Sequence, residues 1–86
     1  MASVSPAQIR AGRALLGISA KDLADLAGVS WATIQRYEAG GGARQRSRDT
    51  LAKIRQALER EGVEFIGDPE ASPGVRLKRP LRWRDG

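Results

Sequence analysis

The chain has 86 residues, fifteen Lys plus Arg against ten Asp plus Glu, a formal net charge of +5, and neither Cys nor His. One domain of this size buries a modest core and gains stability from association with a second copy. The missing Cys rules out a disulfide framework and a thiolate metal site, the missing His weighs against an enzyme, and the Arg-rich positive balance suits a polyanionic partner.

Residues 1–4 read as a frayed end. Ser5-Pro6-Ala7-Gln8 is a helix start: a capping Ser, Pro at the first helical position and Gln to close the box. The first helix is predicted over residues 6–16, with Ile9, Ala14 and Leu16 inward and Gly17 as its stop. Ile18 turns inward before Ser19 opens a second helix, with Asp22 three residues on and Leu23, Ala24 and Ala27 at helical spacing. Gly28 ends that helix and Val29 fills the turn. Ser30 caps a third helix over residues 31–39, with Ile34 and Tyr37 on its inner face. A supporting helix, a turn containing Gly and a helix free to enter a major groove make the helix-turn-helix pattern.

Residues 40–48 (GGGARQRSR) read as a flexible, positively charged loop in which Ser47 caps a fourth helix, over about residues 48–61. Leu51, Ile54 and Leu58 form its apolar stripe, and Gly62 ends it. The period then changes. Residues 63–66 and 75–78 alternate as short strands, and residues 67–74 (GDPEASPG) carry turn chemistry, which predicts a hairpin with a long loop. A lone hairpin is marginal in water, so this one is expected to pack on the fourth helix, on a second copy, or on both. Residues 80–86 form a basic tail that sets Trp83 between Arg82 and Arg84.

Residues 5–62 resemble the phage-repressor-like Xre family of helix-turn-helix proteins. The resemblance is carried by L-A-x-x-A-G-V-S-x-x-T-I-x-R-Y-E-x-G over residues 23–40 and by x-T-L-x-K-I-x-x-A-L over residues 49–58. It implies a mainly α fold: a four-helix repressor-like DNA-binding domain over residues 1–62, a short C-terminal β-hairpin over residues 63–79 and the tail. It implies core positions at Ala24, Val29, Ile34 and Leu51, and a structural ion pair between Arg13 and Glu38. Base contacts are implied at Ser30, Trp31, Ala32, Thr33, Gln35 and Arg36. Phosphate contacts are implied at Ser19 and Lys21 and, in and near the basic loop, at Arg44, Arg46 and Arg48. One departure stands out. The family places Gln just after the second-helix cap, where this chain has Ala20, so that phosphate contact falls to Lys21.

The chemistry of these residues fits such roles. Arg36 has the planar fork that donates twice to guanine, and Gln35 suits adenine or a phosphate. Trp31 covers a thymine methyl, stacks on the sugar backbone, or folds back as a lid on the core. Thr33 reaches phosphate or completes a capping box with Ser30. Val63, Phe65, Ile66, Val75 and Leu77 are expected to form a core shared between two chains. Together these readings predict a sequence-specific transcriptional regulator, a repressor or autoregulator that binds an inverted repeat of double-stranded DNA as a homodimer. An antitoxin-like protein, with its C-terminal part holding a partner protein, is the second reading. No metal or cofactor is implied. No run of about 20 apolar residues and no signal-peptide core is present, so a cytoplasmic, nucleoid-associated location is expected.

Overall fold

Serine caps frame the helical half of the computed structural model, which describes residues 4–40 and 48–79. The elements are α1 (Pro6–Leu16), α2 (Ala20–Ala27), α3 (Trp31–Ala39), α4 (Arg48–Arg60), β1 (Val63–Asp68) and β2 (Ser72–Leu77). Ser5 Oγ accepts from the Gln8 amide at 3.2 Å, and Gln8 Oε1 accepts in return from the Ser5 amide at 2.9 Å. Ser19 and Asp22 repeat this box at the start of α2, at 3.0 and 3.1 Å. Each box satisfies two amide donors that the first turn of a helix leaves unpaired. Gly28 ends α2 with φ 73°, a left-handed conformation that turns the chain sharply into the cap of α3.

Ile9, Leu23, Ile34, Ile54, Leu58 and Val63 are the largest fully buried side chains, one or more from every helix and one from the hairpin. Burying each contributes about 1.5–3 kcal/mol relative to exposure. Val29 and Leu51 pack against this core partly buried. Two expectations need correction. Val4 is not part of a frayed end: it is buried, at the position before the Ser5 cap, and with Ile9 at the fourth helical position it occupies the two places of a hydrophobic staple. Ala14 is exposed, and the inner face of α1 instead passes through Gly12. A Cβ on Gly12 would stand 3.3 Å from Leu58 Cδ1 and 3.4 Å from Val63 Cγ1, so the missing side chain lets α1 sit close to α4 and β1.

The hairpin also differs from its expected form. The strands pair antiparallel from Val63↔Leu77 to Asp68↔Ser72, so the connection is only residues 69–71. Pro73 and Gly74, read as turn residues, belong to β2. Both strands of a two-stranded sheet are edges, where a Pro is tolerated. Gly67 makes the short connection possible. Its φ is 77°, and a Cβ there would meet the Ser72 carbonyl oxygen at 2.0 Å.

Asp68 fixes the turn, its Oδ1 accepting from the amides of Glu70 at 2.8 Å and Ala71 at 2.9 Å. These two bonds, Ala71's the larger influence, hold the Asp68 carboxyl below the usual aspartate range. A folded value below the unfolded one stabilises the turn above the ordinary value of about 4 and stops doing so as the pH falls through the folded value. The Glu70 and Ala71 amide resonances are therefore expected to move with a midpoint below about pH 4. A midpoint at or above that value contradicts the turn.

The hairpin packs mainly on α1, with β1 also against α4, rather than on the fourth helix alone. The reason is Gln8. Its side chain is only 2% exposed, and Nε2 donates to the carbonyls of Ile66 at 3.2 Å and Gly74 at 2.9 Å while Oε1 completes the cap. Gln8→Ala is expected to cost about 1–3 kcal/mol, because it removes two hydrogen bonds between α1 and the hairpin and half a capping box. Urea unfolding followed by circular dichroism reads this loss, and an unchanged midpoint would show that the clamp contributes nothing.

Candidate nucleic-acid interface

The geometry of α3 is set from its C-terminal end. Ile34 and Tyr37 face the core, and Glu38 beside them is 8% exposed. Arg13 of α1 grips Glu38 with two parallel bonds, Nε to Oε2 at 2.6 Å and Nη2 to Oε1 at 2.9 Å. Its third nitrogen, Nη1, donates to the Ile18 carbonyl at 3.3 Å, and Arg10 donates to the Glu38 backbone carbonyl. The hydrogen bond with Glu38 raises the Arg13 guanidinium above its ordinary value; partial burial opposes this, and the carboxylate charge adds to it. One end of α3 is thus tied to α1 through both the side chain and the backbone of Glu38.

The other end is uncovered. Ser30, Trp31, Ala32, Gln35 and Arg36 are all exposed, and Thr33 is half-buried. Residues 31, 32, 35 and 36 lie on one helical stripe, opposite Ile34 and Tyr37. Trp31 is 53% exposed, which removes the reading of it as a lid on the core. The Ser30–Thr33 box is only half made. Ser30 Oγ accepts from the Thr33 amide at 3.1 Å, and the two hydroxyls bond each other at 2.9 Å, with no bond returned to the cap amide. Arg36 Nη2 reaches Thr33 Oγ1 at a long 3.4 Å.

Among the residues expected on phosphates, Ser19, Lys21 and Arg48 are exposed, at the starts of α2 and α4. Ala20, where the family pattern has Gln, packs against the core. Arg44, Arg46 and the cap at Ser47 lie outside the described residues, as do Arg82, Trp83 and Arg84.

Much of the positive charge has an internal use that sequence reasoning missed. Arg10 bonds a carbonyl in the last turn of α3. Arg60 Nη2 does the same for Leu26 in α2 at 3.3 Å, and Arg79 Nε for Glu61 just past α4 at 2.7 Å. Helix C-termini leave carbonyls unpaired and carry partial negative charge, so each guanidinium satisfies an acceptor and a dipole together. Arg55 and Arg76 pair with Glu59 and Glu64 on the surface.

A short helix on a supporting helix, locked at its far end and open at its leading end, defines a helix-turn-helix DNA-binding unit. A helix-turn-helix family model matches residues 9–65, more than half of the chain, and the protein belongs to this Xre-type family of DNA-binding transcription regulators. No curated protein matches the chain. Among the described residues, no helix is long and apolar enough to cross a membrane.

Proposed function

We propose that the protein is a cytoplasmic repressor or autoregulator that recognises an inverted repeat as a homodimer, each subunit placing α3 in the major groove. The observation that carries this reading is the exposed stripe Trp31, Ala32, Gln35 and Arg36 at the free end of a helix whose other end is held by Arg13 and Glu38. Two such helices, related by a twofold axis, read half-sites about 34 Å apart. Gln35 and Arg36 supply the polar base contacts, with Ser30 and Thr33 beside them. Ser19, Lys21, Arg44, Arg46 and Arg48 supply phosphate contacts, which set affinity and register rather than sequence choice.

For dimerisation the reading rests on Phe65, Ile66, Val75 and Leu77. Val63, expected among them, is 2% exposed within one chain and belongs to that chain's own core. Ile66, 40% exposed, is the exposed large hydrophobic side chain of the hairpin. Ile66→Glu is the direct test of this surface, since it leaves the core of each subunit intact.

Selection of bound DNA from a random pool tests the proposal as a whole. The expected product is a symmetric pair of half-sites one helical turn apart, and equal retention of scrambled DNA overturns it. Arg48→Ala is expected to weaken binding to all sequences alike and to reduce the slope of log K against log salt by about one. A sequence-dependent loss with an unchanged slope would move Arg48 from phosphate to base.

A further inference from the structure

The leading turn of α3 is apolar where it is most exposed. Trp31 is the most exposed large hydrophobic side chain among the described residues, and Ala32, the next residue, is exposed as well. The two hydroxyls of that turn are bonded to each other, and Ser30 Oγ also holds the Thr33 amide. Cβ bonds tilt toward a helix N-terminus, which directs a side chain at the first helical position toward the leading end. The polar readers, Gln35 and Arg36, stand one turn behind it. In the major groove the base edges present donors, acceptors and one apolar feature, the C5-methyl group of a pyrimidine.

We infer that Trp31 is a specificity-determining residue that seats on a pyrimidine C5-methyl group, and that each half-site carries a thymine there. The inference rests on the DNA-binding reading of α3 and adds to it a base and an atom. Covering a methyl with an indole face removes apolar surface of both from water, a gain that no other base edge in the groove offers.

The test uses the full chain and the operator recovered by selection. Each thymine is replaced in turn by deoxyuridine, which deletes the methyl and leaves pairing intact. Each cytosine is separately replaced by 5-methylcytosine. The expected result is one thymine per half-site at which uracil weakens binding about fourfold for each methyl lost. Trp31→Ala is expected to bind the thymine and uracil operators alike, and Trp31→Leu, still apolar, to keep a smaller preference for thymine. Because Trp31 lies outside the core, thermal unfolding of both variants should match the parent. A gain on methylating one cytosine, lost in Trp31→Ala, supports the same contact with methylcytosine as its source. A flat scan, or a uracil penalty equal in Trp31→Ala and the parent, overturns the inference while the regulator reading stands. A selection that enriches no sequence overturns both.

Discussion

Replacing Arg13 with alanine is expected to lower folding stability by about 3 kcal/mol. The loss comes less from the attraction given up than from the carboxylate left behind. Glu38 sits between α1 and α3 with 8% of its surface exposed, and both its oxygens accept from Arg13. Arg10 bonds the Glu38 backbone carbonyl and not its carboxylate oxygens, which both accept from Arg13. Arg13→Lys is expected to recover only part of the loss, since an ammonium lacks the planar fork that makes two parallel bonds. Replacing both partners with apolar residues of similar volume is expected to be close to neutral, because no charge is then stranded. Urea midpoints of the four proteins decide the matter. A loss under about 1 kcal/mol for Arg13→Ala would place the pair among surface ion pairs and remove it as the anchor of α3. Arg13's raised folded value means that its contribution is present throughout the neutral range and fades only at strongly alkaline pH. Added salt, which screens exposed phosphate contacts, is expected to leave this partly buried anchor in place.

The features legible from local spacing are those whose partners lie three or four residues apart; the Arg13–Glu38 pair, 25 residues apart, came instead through the family resemblance. Ser5 with Gln8, Ser19 with Asp22, and the Gly after each of the first three helices set boundaries that match α1, α2 and α3. Such caps work through identified side chains, so the letters carry the information. The Gln8 clamp does not announce itself in this way. Its acceptors are backbone carbonyls 58 and 66 residues further along, and any residue has a carbonyl. The same holds for Arg10, Arg60 and Arg79, whose partners are helix-end carbonyls. Gly12 was hidden for a different reason: Ile9, Gly12 and Leu16 keep helical spacing, but a glycine adds nothing apolar to a stripe. In the site, the inward phase of Ile34 and Tyr37 fixed which residues of α3 face out. It did not fix Trp31, because a first-turn aromatic has room to fold either way until the core behind it is complete. With Val4 and Val63 buried within the same chain, that core is filled without it.

The second large effect is expected at Arg36. Arg36→Ala should weaken binding to the selected operator by about 1–3 kcal/mol in each half-site, with far less change on scrambled DNA. The side chain is exposed, and its bond to Thr33 Oγ1 is a long 3.4 Å, so little in the fold depends on it. A guanidinium held this loosely is free to turn its fork toward guanine O6 and N7, where two donors meet two acceptors. The competing role is a phosphate contact, and the two separate cleanly in one experiment. Competition binding is measured with operator and scrambled duplex at two salt concentrations, for the parent, Arg36→Ala and Arg36→Lys. If Arg36 reads a base, lysine keeps the charge and the salt slope but loses the discrimination, because its point charge has no fixed pair of donors. If Arg36 holds a phosphate, lysine restores binding, and alanine lowers affinity for both duplexes alike while reducing the slope by about one. The second pattern would leave Gln35 and Trp31 as the readers of the site and shift guanine recognition off α3's exposed stripe.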